Sequence, residues 1–156
     1  MKPVLYIMCG LPGSGKSSFA RQMLHVNNTI YYASRDAIRL SIITDEDKYF
    51  SKEKEVFNIY IDNIVTALKN GQDVIADATH LNLASRKKLT NAIDKYFNNY
   101  YIFYIIFNTE LETCLERNAK RDGRAYVPPE TIHDMMKHFY PPKEEDIREM
   151  GRIQVT

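Results

Sequence analysis

The sequence predicts an α/β protein of three layers, in which a central parallel sheet of about five strands carries helices on both faces. Two observations predict this fold. Short apolar segments of strand length alternate along the 156 residues with segments whose apolar residues recur at helical spacing. One segment, 100–108, is apolar almost throughout, as expected of a strand buried on both faces. No linker, repeat or low-complexity tract divides the chain, so we expect residues 1–156 to form one domain.

The first half of the chain alternates strand and helix patterns. In order, we predict a strand over 4–9, a helix around 19–24, a strand over 30–33, a short helix over 36–42, a polar connection over 44–52 and a long amphipathic helix over 56–68. Asn70 and Gly71 then close the long helix as its C-cap, because these residues adopt the backbone conformation that ends helices.

The second half continues the alternation. In order, we predict a strand over 73–77, a helix over 83–97, the apolar strand over 100–108, a helix over 110–118, a basic segment over 119–127, a helix from Pro129 to Phe139 and a last strand over 151–156. Strands that alternate with helices in this way form parallel sheets, because each crossover returns the chain to the same edge.

The bulk composition excludes several classes of protein. The net charge of +1 gives no overall field that favours nucleic acid, so any basic site must be local. The two cysteines, Cys9 and Cys114, fit buried core thiols rather than a disulfide framework or a zinc site. No apolar stretch approaches the ~18 residues of a membrane helix, and the N-terminal run is a strand rather than a signal peptide. We therefore expect a cytoplasmic protein with no membrane contact.

A phosphate-binding loop is the most informative motif. Residues 10–17 read Gly-Leu-Pro-Gly-Ser-Gly-Lys-Ser, which is the G-x-x-x-x-G-K-[ST] pattern between a strand and a helix. Glycines let the main chain wrap closely around phosphates, and the free N–H groups at the helix N-terminus attract the anion. Lys16 can reach the β- and γ-phosphates, and the Ser17 hydroxyl can hold Mg²⁺. The expected nucleotide-binding residues are Gly10, Leu11, Pro12, Gly13, Ser14, Gly15, Lys16, Ser17 and Ser18.

Asp77 ends an apolar strand on the same predicted edge of the sheet. Ligands of such sheets bind beyond the carboxyl ends of the strands, where the phosphate-binding loop also lies. A carboxylate there is typical of a Mg²⁺ site, so Asp77 joins Ser17 as a candidate metal ligand. The alternative is an aspartate that only forms a turn at the strand end.

The segment after the second strand offers an acceptor site. Asp36 and Arg39 are three residues apart, so a helix places them on one face. Asp36 can serve as a general base that takes a proton from an acceptor hydroxyl, with Arg35 and Arg39 gripping acceptor phosphate. The alternative, which the sequence leaves open, is that Ser34 or Asp36 only caps the helix.

A basic segment follows the fourth strand. Arg117, Arg121 and Arg124 recur at i, i+4 and i+7, and Gly123 supplies a hinge. Guanidinium groups stabilise the charge of a transferring phosphoryl group, so we predict an arginine-bearing lid over about 117–127, with Arg117 and Arg121 as its stronger candidates. The alternative is a solvated helix face.

Two weaker features complete the list of polar candidates. His80 lies in the loop after the third strand, where it can contact the acceptor or a metal-bound water, or can simply form a surface turn. Arg86, Lys87 and Lys88 begin a helix and are expected to be solvated.

Taken together, the motifs resemble those of a known family. Gly-Leu-Pro-Gly-Ser-Gly-Lys-Ser is followed in order by Ser-Arg-Asp-Ala-Ile-Arg, Asp-Ala-Thr-His-Leu-Asn, Glu-Arg-Asn-Ala-Lys-Arg and Phe-Tyr-Pro-Pro-Lys-Glu-Glu. This series resembles the kinase domain of phage and bacterial polynucleotide 5′-kinases, over nearly the whole chain. The resemblance implies a P-loop NTPase fold, ATP and Mg²⁺ as cofactors, and a nucleic acid 5′ end as substrate.

The resemblance also implies roles for single residues. Asp36 would be the general base and Arg39 a ligand of acceptor phosphate, and Arg117 and Arg121 would act on the donor phosphates. Lys16 and Ser17 would bind phosphate and metal, with Asp77 in support. His80 stands where many members of the family carry asparagine, which puts the local acceptor contacts in question. No phosphatase or ligase domain accompanies the kinase pattern, so we expect any repair role to need a separate protein.

Two other functions remain open from the sequence. A small-molecule kinase, such as a zeta-toxin-like sugar-nucleotide kinase, would share the loop, the acid and the lid arginines but would lack a groove for a polymer. An ATP-binding switch with little turnover would need only the loop. A GTP switch is excluded, because the chain has neither Asn-Lys-x-Asp nor Asp-x-x-Gly at the required place. The sequence shows no obligatory protein partner and leaves a homo-oligomer open.

Overall fold

The computed structural model describes residues 1–143 and 152–155, apart from the side chains of Arg124 and of residues 152–154. The strands are β1 (Val4–Cys9), β2 (Tyr31–Ser34), β3 (Val74–Asp77), β4 (Tyr101–Phe107) and β5 (Arg152–Val155). The helices are α1 (Lys16–Val26), α2 (Arg35–Ile42), α3 (Glu53–Lys69), α4 (Leu83–Asp94), α5 (Leu111–Ala119) and α6 (Pro129–Lys137), with a 3₁₀ turn at Gly123–Ala125.

The five strands form one parallel sheet in the order β2-β3-β1-β4-β5, which confirms the predicted fold class and strand number. The predicted last strand over 151–156 is present as β5, whereas Gly151 and Thr156 lie outside the described residues, as do Glu144 and Glu145. The predicted helix over 83–97 ends at Asp94, with Lys95 as its C-cap. The last two residues of the predicted helix from Pro129 to Phe139 fall after α6.

Alternate residues of the central strands supply a core on each face of the sheet. Leu5, Ile7 and Cys9 pack against α3 and α4 on one face, whereas Met8 packs against α1 on the other. The two cysteines are buried free thiols, as predicted. Among the described residues, no helix combines the length and apolar character that crossing a bilayer requires.

The long helix α3 ends as its sequence predicts. Asn70 is its C-cap, and Gly71 adopts a φ of +77°, which a residue with a Cβ rarely does. The Gln72 N–H then returns to the Ala67 carbonyl at 3.0 Å. This closure leads the chain directly into β3, which ends at Asp77 beside Ser34 of β2 in the parallel register.

Candidate active site

The phosphate-binding loop lies between β1 and α1. Its glycines are required mainly because the loop packs closely against itself and its neighbours. A Cβ at Gly10 would meet the Ser14 Oγ at 2.6 Å, and a Cβ at Gly13 would meet the Cys114 carbonyl oxygen at 2.5 Å. Gly15, at a φ of +102°, caps α1. The loop glycines therefore allow a tight fit against α5 as well as the turn into α1.

Lys16 folds back over the loop. Its Nζ donates to the carbonyl oxygens of Gly10 and Leu11, at 3.0 and 2.8 Å. Desolvation lowers the pKa of Lys16, and the negative charges of Asp77 and Asp36 oppose that shift. The influence of both carboxylates on one ammonium group indicates that all three charges share one site.

Ser17 and Asp77 meet at the edge of the sheet. The Ser17 hydroxyl donates to Asp77 Oδ2 at 3.0 Å, and the Tyr32 hydroxyl donates to the same oxygen. Burial, followed by the Asp77 charge, raises the pKa of Tyr32 to about 12, so Tyr32 is a stable donor. A hydroxyl oxygen and a carboxylate beside a phosphate-binding loop form an oxygen donor set that suits Mg²⁺. The residues that could hold the metal are therefore adjacent, as a Mg²⁺ site requires.

Asp36 lies in the first turn of α2 without capping the helix. Ser34 is the cap, because its Oγ accepts a hydrogen bond from the Ala37 N–H at 3.1 Å. Asp36 Oδ1 instead accepts from the Tyr49 hydroxyl at 3.0 Å and from the Arg39 guanidinium. Within the described residues no donor reaches Oδ2. The Asp36 side chain is 68% exposed, so this second oxygen is open to a ligand.

Arg39 is held in place rather than extended into solvent. Its Nε and Nη2 donate to the two carboxylate oxygens of Glu53, at 2.5 and 2.8 Å, and its side chain is 5% exposed. Burial alone would lower the pKa of Arg39, but the Glu53 hydrogen bonds and charge raise it above its ordinary value. Hydrogen bonds engage all three guanidinium nitrogens, so Arg39 can meet an acceptor phosphate only by sharing or exchanging them.

Glu53 is a site residue that the sequence analysis missed. It begins α3, and it also receives the Arg35 guanidinium at 3.2 Å, which ties α2 to α3. Partial burial would raise the pKa of Glu53, but the hydrogen bonds from Arg39 hold it below the usual range. The only signal in the sequence was an acid in the first turn of the long helix. Tyr49 and Phe50, from the polar connection before α3, were missed as well.

One side chain joins the two ends of segment 117–127, for which the sequence predicts a lid. Asn118 is buried, and its amide both donates to the Val127 carbonyl at 2.6 Å and accepts from the Val127 N–H at 3.0 Å. Arg117 donates to the Gly13 carbonyl at 3.3 Å, whereas the one hydrogen bond of Arg121 among the described residues is a long contact of 3.5 Å with the Ala125 carbonyl. The side chain of Arg124 lies outside the described part of the structure.

His80 is not a surface histidine, and this interpretation of the sequence is wrong. The residue is 6% exposed, with a φ of +41°. Its Nδ1 lies 2.5 Å from the Met8 carbonyl, so that nitrogen carries the proton, and its Nε2 lies 3.4 Å from the Tyr60 hydroxyl. Burial lowers the pKa of His80 to about 4. The ring therefore lies beneath the site, and the structure does not bring it to the acceptor.

Arg86 is likewise not solvated, contrary to expectation. It is 2% exposed and donates to the His80 carbonyl at 3.1 Å. Because the Gly10 N–H donates to the neighbouring Thr79 carbonyl at 3.0 Å, Arg86 supports the loop that contacts the start of the phosphate-binding loop.

One cleft of about 670 Å³ joins these parts. Its walls include most of the predicted residues, which are Pro12, Gly13, Gly15, Lys16, Ser17, Ser18, Arg35, Asp36, Arg39, Asp77, Arg117 and Arg121. Gly10, Leu11, Ser14 and His80 are buried behind the wall. The phosphate-binding loop, the Asp36 carboxylate and the lid arginines therefore face a common space of the size that a small-molecule ligand occupies.

Comparison with known proteins agrees with this geometry. The family model described as an AAA domain matches residues 5–142. The chain is similar to a protein named "putative bifunctional polynucleotide kinase/RNA ligase" from Autographa californica nuclear polyhedrosis virus, at 27% identity over 153 residues. That alignment covers 86% of this chain and 20% of the viral protein, so the chain spans about a fifth of this curated relative.

Solved structures extend the comparison. A chain in the Pnkp1/Rnl/Hen1 RNA repair complex is 28% identical, with a TM-score of 0.74, over 87% of this chain and 43% of that one. A fungal RNA kinase shares the fold alone, at 14% identity and a TM-score of 0.73, over 100% of this chain and 38% of that one. These matches confirm the resemblance to polynucleotide kinases that the sequence motifs indicate, and they confirm the P-loop kinase fold.

Proposed function

This chain belongs to the AAA domain family, and from that membership we propose that it is an ATP-dependent kinase acting on the 5′-hydroxyl of a polynucleotide. The observation that carries the proposal is the single cleft that joins Lys16 and Ser17 to Asp36 and to two lid arginines. A kinase needs a triphosphate cradle and a base for the incoming hydroxyl within one space, because the two substrates react directly.

The donor side of the cleft would bind the triphosphate of ATP. The N-terminus of α1 presents main-chain N–H groups to the phosphates, and Lys16 would exchange the Gly10 and Leu11 carbonyls for the β- and γ-phosphates. Ser17 and Asp77 would hold Mg²⁺. A metal held there would supply positive charge that offsets the negative charge of the triphosphate.

The acceptor side would activate the hydroxyl. Asp36 Oδ2 takes the proton as the hydroxyl oxygen forms a bond to the γ-phosphorus, and the bond from that phosphorus to the β-phosphate oxygen breaks, so that ADP leaves. Tyr49 and Arg39 hold Oδ1 and thereby fix the direction of the carboxylate. Arg117 and Arg121 stabilise the charge on the equatorial oxygens of the transferring group.

Nucleic acid is the proposed acceptor because of the relatives. The curated relative is named for a polynucleotide kinase activity, and the solved chain of 28% identity belongs to an RNA repair complex. From these two relatives we propose that this chain acts at nucleic acid 5′ ends, in assembly with other repair proteins. Only the relatives support this assembly, because the sequence itself shows no obligatory protein partner.

The proposal is tested by offering γ-labelled ATP and Mg²⁺ to the protein with a panel of acceptors. We expect label on 5′-hydroxyl DNA or RNA oligonucleotides and none on the same oligonucleotides with a 5′-phosphate, which serve as matched controls. Label on free sugars or mononucleotides alone would favour the small-molecule kinase. Tight ATP binding without transfer to any acceptor would favour the switch module.

A further inference from the structure

Tyr49 and Phe50 give the cleft an aromatic wall, and the Phe50 ring has no part in the proposed phosphoryl transfer. Tyr49 and Phe50 end the polar connection before α3, and both line the cleft. Phe50 is 45% exposed, and among the large apolar side chains that the described residues leave exposed, it is the one in the cleft wall. Exposed aromatic surface inside a polar cleft costs free energy unless a ligand covers it.

Both rings are held in a fixed arrangement. They meet edge to face, with centroids 4.7 Å apart and planes at 90°. The Arg39 guanidinium carbon lies 4.9 Å from the Tyr49 centroid and 5.0 Å from the Phe50 centroid. Because Glu53 fixes Arg39, the Arg39 guanidinium holds both rings in place. A rigid aromatic surface loses little entropy when it stacks on a flat ligand.

The position of the rings points to the acceptor rather than the donor. The Tyr49 hydroxyl donates to Asp36, the proposed base, at 3.0 Å. In a nucleotide the 5′-hydroxyl and the base are attached to the same sugar. A 5′-hydroxyl that reaches Asp36 therefore brings its own base close to these rings. Val127 and Met135 add apolar surface to the same cleft.

We propose that Tyr49 and Phe50 form an aromatic platform, in which the Phe50 ring stacks on the nucleobase of the nucleotide that carries the accepting hydroxyl and the Tyr49 ring supports Phe50 edge to face. The inference rests on the proposed function and narrows its substrate class to acceptors that have a base at the 5′ end. Aromatic side chains stack on any base, so the platform favours the presence of a base rather than a particular sequence.

The test compares two oligonucleotides that differ only at the 5′-terminal residue, which carries a base in one and a tetrahydrofuran abasic analogue in the other. The kcat/KM of transfer from ATP is measured for each. We expect the wild type to favour the base by roughly 10- to 100-fold, the factor that one base–aromatic stack gives. Phe50→Ala should reduce this ratio to near one, and Phe50→Trp should keep it. Tyr96→Ala, at an exposed aromatic outside the cleft, should keep the wild-type ratio.

Each other result has a distinct meaning. Equal rates for the two oligonucleotides with the wild type would overturn the platform and leave the proposed function intact. A Phe50→Ala variant that loses rate equally on both would assign Phe50 to the fold. If Phe50→Ala raises the KM for ATP and keeps the ratio, the rings serve the donor base, and the proposal is wrong. If neither oligonucleotide is labelled, the proposed function fails, and the platform fails with it.

Discussion

Asp36 is available as a base because a neighbouring serine takes over the capping of α2. The Ser34 Oγ accepts the hydrogen bond from the Ala37 N–H, so the Asp36 carboxylate is not used to accept it. Tyr49 and Arg39 both donate to Oδ1 and orient the group, which leaves Oδ2 for a substrate proton. The sequence left the choice between cap and base open, and the hydrogen bond to Ser34 removes the need for Asp36 as a cap.

Arg39 lies in the cleft wall, but hydrogen bonds to other residues already occupy its guanidinium group. A buried guanidinium needs compensating charge, and the paired oxygens of Glu53 provide it. Arg39 and Glu53 are 14 residues apart in sequence and belong to different helices. Periodicity within one helix therefore could not reveal their pairing. The sequence-based role of Arg39 as a phosphate ligand remains a prediction.

His80 makes the free energy of unfolding depend on pH. Its folded-state pKa of about 4 lies below the ordinary value of 6.5, so the unfolded chain binds more protons between these values. Stability should therefore fall as the pH drops from about 6.5 towards 4, by up to about 3 kcal/mol from this residue. His80→Asn should remove that part of the loss, since asparagine tolerates positive φ and does not titrate. Urea unfolding at pH 7 and pH 4.5 measures the difference.

The matched control is His25→Asn, at an exposed position of α1. This variant should follow the wild-type pH profile. If His80→Asn loses as much stability on acidification as the wild type does, the buried neutral ring is not the source of the pH dependence.

The phosphate-binding loop packs closely against α5, and it can do so because Gly13 has no side chain. A Cβ there would lie 2.5 Å from the Cys114 carbonyl oxygen, at a φ of +80°. Gly71, with a φ of +77° and no atom within 4 Å, is its matched control. Gly71→Ala should cost about 1–2 kcal/mol of unfolding free energy from backbone strain alone. Gly13→Ala should cost roughly twice that or more, since α5 must also move. Denaturant unfolding of both variants measures the difference, and equal costs would contradict this fit.

Arg121, in the predicted lid segment 117–127, is expected to act on the transferring phosphoryl group. Arg121 lines the cleft, and its one hydrogen bond among the described residues is a 3.5 Å contact with the Ala125 carbonyl, which is too long to add much to stability. Arg121→Ala should slow phosphoryl transfer by about 10³-fold or more, the range that an arginine at the transferring group contributes. Single-turnover kinetics measure this rate, and thermal unfolding should be unchanged.

Lys120→Ala is the control for charge, because Lys120 is exposed and outside the cleft. It should leave the rate near that of the wild type. An undiminished rate for Arg121→Ala would make Arg121 a solvated residue with no role in transfer. The solvated helix face that the sequence pattern allowed does not extend to Arg121, because α5 ends at Ala119.

At the scale of the whole molecule, the sheet explains why so much could be predicted from the sequence. Alternating strand and helix patterns require parallel strands, whose carboxyl ends share one edge. The loop at 10–17, Asp36 and Asp77 each follow or end a strand, so the topology alone brings them together. The sequence therefore predicts which of these residues share one edge of the sheet.

What the sequence could not reveal depends on contacts between distant segments. The connection over 44–52 has no periodicity, yet it supplies Tyr49 and Phe50 to the cleft. His80 and Arg86 carry polar side chains in loop and helix patterns that usually face solvent, but both are buried. His80 contacts the Met8 carbonyl of β1, and Arg86 donates to the His80 carbonyl. Only the packing of the loop after β3 against β1 determines this outcome.

In the proposed mechanism, one cleft binds ATP at the loop over 10–17 and deprotonates a hydroxyl at Asp36. ATP affinity and transfer of the γ-phosphate to a 5′-hydroxyl oligonucleotide can be measured on the same samples of wild type, Asp36→Ala and Lys16→Ala. We predict that Asp36→Ala binds ATP as the wild type does and transfers nothing, whereas Lys16→Ala loses both affinity and transfer. Near-wild-type turnover by Asp36→Ala would show that Asp36 is not the base.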